Sequence, residues 1–142
     1  MDKSIWLSTT NIKNYDSVNK NIECDIAIIG GGLTGITCGY MLSKEGYNIS
    51  ILEKEKLMHK TSGHTTVKIT SKRGLIYNYL SNSFDDEYTR KYFEANQQAI
   101  KNIKQIIDNE NIDCDFKYQD SYVCTKSNQF VEDIKKEYDI IS

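Results

Sequence analysis

The chain has no proline in 142 residues, while Ile, Asn and Lys are abundant. That bias fits an A·T-rich genome and says nothing direct about chemistry. Long apolar runs are missing too, and none approaches the ~18 residues of a membrane span. The opening residues, Met1-Asp2-Lys3-Ser4-Ile5-Trp6, lack a basic stretch followed by an apolar core, so a cytoplasmic location is expected. Charge of one sign is scarce: 18 Lys and Arg against 20 Asp and Glu leave a net charge of −2. Such a balance gives no long-range attraction to nucleic acid or to an anionic membrane, and neither partner is expected. Cysteine is limited to Cys24, Cys38, Cys114 and Cys124, with no C-x-x-C spacing. Metal sites and disulfides are therefore poor expectations, and Cys24 and Cys38 read as small buried thiols. What remains, 39% hydrophobic and 27% charged, is the composition of one soluble globular domain.

The most informative stretch runs from Asp25 to Glu53. An apolar strand, residues 25–29, leads into Gly30-Gly31-Gly32-Leu33-Thr34-Gly35, then a helical stretch, a second strand and an acid. Each part serves a dinucleotide. Gly30 permits the tight strand-to-helix turn, Gly32 lets backbone N–H groups approach a pyrophosphate, and Gly35 lets the helix sit close to the strand. Leu33 and Thr34 open the helix, whose unpaired N–H groups and positive dipole end face the phosphates. Glu53 follows Gly35 by 18 residues, where an acid that accepts from a ribose hydroxyl belongs.

The rest of the chain divides around this unit. Residues 1–22 read as an irregular arm anchored by Trp6; residues 23–82 as the nucleotide-binding unit and its loop; residues 83–142 as a long helix and the beginning of a further region. The first helix is expected over 33–45, with Gly35 and Gly39 leaving a smooth face and Gly46 ending it, and the second strand over 47–52, parallel to the first. Residues 54–71 are rich in hydroxyls and begin at the carboxyl end of a strand, which makes them a second candidate contact region. His59 and His64 lack a third metal ligand at sensible spacing and read as loop histidines. A short helix over 73–80 precedes a long one capped by Ser83, with Asp85, Asp86 and Glu87 in its first turn. Tyr88, Tyr92, Ala95, Ala99, Ile100, Ile103, Ile106 and Ile107 form its apolar stripe, opposite Lys91, Glu94, Lys101 and Lys104. Residues 112–125 alternate as two short antiparallel strands, and 129–142 as a helix with Phe130, Ile134 and Tyr138 on one side.

With these residues in hand, the chain resembles the amino-terminal part of FAD-dependent oxidoreductases of the D-amino-acid-oxidase and glycine-oxidase superfamily. The likeness rests on Ile28-Ile29-Gly30-Gly31-Gly32-Leu33-Thr34-Gly35 with Leu42, Gly46, Ile51, Leu52, Glu53 and Lys54. More specific is Thr61-Ser62-Gly63-His64-Thr65-Thr66-Val67-Lys68-Ile69-Thr70 with Gly74-Leu75-Ile76-Tyr77, which is similar to a bacterial subgroup whose complete members carry a carboxyl-terminal Rieske domain. The resemblance continues through residues 94–100 and 112–116. It implies an α/β fold, a Rossmann-like βαβ FAD-binding unit followed by helices and the start of a β-rich substrate domain, here incomplete. It implies FAD as cofactor, held at the pyrophosphate by Gly30, Gly32 and Gly35 and at the adenosine ribose by Glu53, with Lys54 near the adenine end. Ser62, Gly63, His64, Thr65 and Thr66 match the loop that runs beside the pyrophosphate toward the flavin ring. It further implies a small-molecule amine or amino-acid substrate in a complete relative, oxidised at a carbon next to nitrogen.

The departures matter equally. No cysteine has a histidine two or three residues beyond it, so the paired ligands of a Rieske centre are not present in this sequence. The chain therefore reads as an amino-terminal fragment, and self-association is expected through apolar surface that further strands would cover. No catalytic residue can be named, since Tyr118, Asp120 and Tyr122 read as solvent-facing strand residues. Two alternatives stand beside the flavin reading: an NAD-binding dehydrogenase, which Glu53 would serve equally well, and a non-catalytic remnant.

Overall fold

The computed structural model describes residues 4–66 and 68–142, so Met1–Lys3 of the arm and Val67 of the hydroxyl-rich loop lie outside the described residues. The chain forms two compact units, Met1–Val67 and Lys68–Ser142.

The first unit is a strand-helix-strand motif with an arm. β1 (Ile26–Ile29) and β2 (Ile49–Leu52) pair in parallel, Ile26 opposite Ile49 and Ile29 opposite Leu52. Asp25 ties the near end by accepting from the Asn48 N–H at 2.7 Å, and Gly30 extends the far end by donating to the Leu52 carbonyl at 2.8 Å. Between them runs a helix (Leu33–Lys44), ended by Gly46 at φ 92°, while Tyr47 donates to the Leu42 carbonyl. Gly39 is buried where this helix crosses the sheet: a Cβ there would lie 2.9 Å from Ile51 Cδ1. The glycine-faced helix of the sequence reading is therefore present. Cys38 on the same helix is exposed and Cys24 only half-buried, contrary to the expected buried thiols. A one-residue step from Gly39 turns Cys38 away from the sheet.

The arm is more ordered than its polarity suggests. Residues Ile5–Thr9 form a short helix, α1, so the helix after β1 is α2. Ser8 and Thr9 hydroxyls both donate to the Ile5 carbonyl at 2.8 Å, and Trp6 and Leu7 lean on a 3-10 turn, Thr61–His64.

The second unit contains α3 (Ile76–Ser83), α4 (Asp86–Asn109) and α5 (Val131–Ile141), the last preceded by a 3-10 turn, Asn128–Phe130. Its centre is Tyr77, wholly buried, with Tyr92 and Phe93 set edge-on at 6.2 and 5.5 Å and its hydroxyl donating to the Ser71 carbonyl. Glu137 on α5 is 1% exposed and accepts from the N–H groups of Tyr77 (3.3 Å) and Asn78 (2.7 Å), satisfying two donors of the first turn of α3.

Four expectations for this unit change. The cap of α4 is Asp85, which accepts from the Tyr88 N–H at 2.6 Å, because Ser83 is still the last residue of α3. The inward face of α4 runs through Thr89, Phe93, Asn96 and Gln97 together with Tyr92, Ile100 and Ile103, whereas Tyr88, Ala95 and Ala99 are exposed. Residues 112–125 contain no strand, with Tyr118 66% and Tyr122 83% exposed. A lone hairpin is marginal in water without a surface on which to bury its apolar face. On α5, Ile134 is half-buried beside Glu137, but Phe130 and Tyr138 are exposed.

Candidate functional site

The site of the first unit lies where β1 and β2 end. Gly30 takes φ 109°, a backbone region open to glycine and strained for other residues, and turns the chain from β1 into α2. Gly35, on the first turn of α2, faces back across this turn: a Cβ there would overlap the Gly30 carbonyl oxygen. The two glycines thus bring helix and strand within backbone contact. At Gly32 a Cβ would stand 3.1 Å from Ser62 Oγ, so this residue also leaves its backbone bare.

Glu53, one residue past β2, is pinned across the gap between the strands. One carboxylate oxygen accepts from the Gly31 N–H at 2.7 Å and the other from the Glu55 N–H at 3.0 Å. These two bonds, Gly31 foremost, hold its carboxyl below the ordinary value of 4.5. A carboxylate oxygen has more than one lone pair, so both retain capacity for a sugar hydroxyl. Beside Glu53 opens a cleft of about 460 Å³, lined by residues 13–18 of the arm and 51–57, Lys54 among them.

The hydroxyl-rich loop closes on the same place. Ser62 accepts from the Leu33 N–H at 2.9 Å, joining the 3-10 turn to the first residue of α2. Gly63 is buried, and a Cβ there would overlap the Met58 carbonyl. His64 is exposed and its Nδ1 bonds the Lys60 carbonyl at 2.8 Å, a hydrogen-bonded loop histidine. Thr65 and Thr66 are exposed, the Thr65 carbonyl accepting from Trp6, and Thr34 is exposed on the first turn of α2. Glycine turn, helix start, acid and loop hydroxyl therefore meet in one unit.

Sequence reasoning missed Gly31, the residue between the two motif glycines. It is buried, its N–H serves Glu53, its carbonyl accepts from Met58 N–H at 2.8 Å, and a Cβ would overlap Leu57. The available signal was three successive glycines where the motif requires only alternate ones. Also missed was the part of the arm at residues 13–18 in the cleft wall. Tyr118, Asp120 and Tyr122 lie in the second unit in irregular chain, where Tyr122 donates to Asp120 at 3.2 Å. Among the described residues no three His, Cys, Asp or Glu side chains gather as metal ligands, and no helix is long and apolar enough to cross a membrane.

The family model for FAD dependent oxidoreductase matches residues 25–141. The chain belongs to that family. A Bacillus subtilis relative named as a Rieske 2Fe-2S iron-sulfur protein, YhfW, is 36% identical over 96% of this chain and 27% of its own length. Gamma-glutamylputrescine oxidoreductase of Escherichia coli is 23% identical over 81% of the chain and 27% of its own. Thiamine thiazole synthase of Pyrococcus furiosus is 39% identical over 39% of the chain. The chain thus spans about a quarter of the length of the curated relatives it matches. No solved structure matches it. Family membership implies a flavin cofactor, and the residues fit one: bare glycine backbone at the helix start, a fixed acid at the second strand and a hydroxyl loop beside both.

Proposed function

We propose that residues 25–66 hold the adenosine and diphosphate of FAD, as the cofactor-binding opening of an oxidoreductase. The observation that carries this reading is the contact of Gly35 with the Gly30 carbonyl, together with Glu53 fixed on the Gly31 N–H. Those two features bring a helix start and a carboxylate to the same end of the strand pair, which supports a diphosphate at the one and its neighbouring sugar at the other. Gly30, Gly32 and the N–H group of Thr34 face the diphosphate, while Leu33, whose N–H is taken by the Ser62 hydroxyl, joins the loop to the helix start rather than serving as the free donor expected of it; Glu53 takes the ribose, and Lys54 lies toward the adenine. Ser62, Gly63, His64, Thr65 and Thr66 run beside the diphosphate toward the flavin ring. The bound flavin supplies two-electron redox chemistry, while the protein supplies position and electrostatics.

For the whole-length protein the substrate is an amine or amino acid oxidised at a carbon next to nitrogen. Support comes from the family and from the likeness to an enzyme named for a putrescine derivative. The 142-residue chain by itself binds cofactor without turnover. Ile29, 89% exposed on β1, and exposed Leu33 and Met41 on α2 support self-association, which size-exclusion chromatography reads.

The direct test titrates the purified chain with FAD and follows quenching of flavin fluorescence. Saturable binding that Gly32→Asp abolishes, by placing a carboxylate where the diphosphate sits, bears out the reading. Retention of NAD but not FAD overturns it in favour of a nicotinamide enzyme.

A further inference from the structure

The arm before β1 lies outside the 25–141 stretch that matches the family, yet the relative at 36% identity aligns over 96% of the chain and so includes most of the arm. It touches the site at two places. At α1, Trp6 Nε1 donates to the Thr65 carbonyl at 2.9 Å, a bond between residues 59 apart in sequence. Its neighbour Leu7 covers Gly63, with Leu7 Cδ2 3.0 Å from where a Cβ on that glycine would be. Gly63 in turn adjoins Ser62, whose hydroxyl takes the Leu33 N–H at 2.9 Å. Further along, residues 13–18 form the wall of the cleft that faces Glu53.

We propose that the arm is a positioning element for the cofactor site: α1 clamps the Thr61–His64 turn onto the start of α2, and the stretch behind it walls the acid's cleft. The physical need is plain. A 3-10 turn of four residues between irregular segments has little structure of its own to hold it, and such loops open locally at small cost. Ordering it before the ligand arrives removes that cost from binding. The clamp uses one hydrogen bond and one apolar contact, both directed at the turn and neither at the ligand. Trp6 and Leu7 therefore act through Thr65, Gly63 and Ser62. Only the identity of the ligand, FAD, rests on the proposed function; the clamp itself does not.

The test separates the two. In the full chain without ligand, hydrogen exchange is measured for parent, Trp6→Phe and Leu7→Ala, and the same proteins are titrated with FAD. Trp6→Phe keeps the ring and removes the donor, so it isolates the bond to Thr65. Both variants are expected to raise exchange of peptides covering 58–66 by about tenfold, with α3 in the other unit unchanged, and to weaken flavin binding by about tenfold. Unchanged exchange at 58–66 in both variants overturns the clamp, whatever the flavin result. Faster exchange with undiminished flavin affinity overturns its positioning role. If the parent binds no flavin but the variants still loosen 58–66, the flavin reading falls and the clamp stands.

Discussion

In the first unit the backbone approaches its neighbours where side chains are missing, whereas in the second the interior is filled by large buried side chains, Tyr77 and Glu137. Gly35 meets the Gly30 carbonyl, Gly39 meets Ile51, and Gly63 meets Met58 and Leu7, while the buried apolar side chains among the described residues, Tyr77 and Leu80, both belong to α3. A surface that offers backbone N–H groups is built by subtraction, because they stay accessible only if no Cβ stands in the way. A helical unit has no such constraint and is held by filling its interior. The first unit therefore combines well-defined backbone geometry with apolar strand surface left open, Ile29 above all.

This contrast can be broken in several ways. Tyr77→Ala empties the centre of the second unit and is expected to cost about 3–5 kcal/mol, read by urea unfolding, without altering flavin affinity. Gly35→Ala reverses that pattern. Its methyl meets the Gly30 carbonyl, so the first unit should lose about 1–3 kcal/mol and flavin binding should disappear from the fluorescence titration. Equal effects of these two changes on both readouts would mean that the units do not differ as described. Glu137→Ala leaves two buried N–H groups of α3 without an acceptor, at about 1–3 kcal/mol, and Glu137→Gln, which keeps one acceptor oxygen, should recover part of it.

A pH series sharpens the first half of the comparison. Glu53 receives its two backbone bonds as a carboxylate, so its folded-state value lies below the ordinary 4.5. Protonation must then weaken the folded cradle. Its contribution is complete above pH 4.5 and is lost as pH falls through the lower folded-state value, which flavin titration across acidic pH will follow. Glu53→Gln should flatten that acid limb. The smallest effect belongs to the exposed Glu132 and Lys135 pair on α5, 2.8 Å apart, where Lys135→Ala should leave the unfolding midpoint unchanged.

Much of the first unit was legible in the residues, because its constraints are local. Glycines 30, 32 and 35 and the acid at 53 each satisfy a backbone requirement that few other residues meet, and the two strands and α2 fall within two residues of their expected ends. The loop from Ser62 to Thr66 was legible as a contact region, but its joint to Leu33 was not, since a serine hydroxyl in a loop can face anywhere. The second unit was harder. Ser83 and Asp85 are both good caps, and the choice depended on where α3 stops. The α4 stripe counted apolar residues, yet Thr89, Asn96 and Gln97 turn inward, Thr89 and Asn96 bonding the Asp85 and Tyr92 carbonyls and Gln97 the Ser71 hydroxyl. Alternation at 112–125 is a real pattern, but a strand needs a partner as well as a pattern.

By itself the sequence determined the parallel strand-helix-strand turn, its bare backbone and its acid, because these rest on what individual residues can do at short range. Tertiary structure alone decided that Glu137, a charged residue on an amphipathic helix, is buried, and that Trp6 in a polar arm holds a loop 59 residues away. Burial and long-range contact depend on which elements come to lie side by side, and no residue's own preference specifies its neighbour.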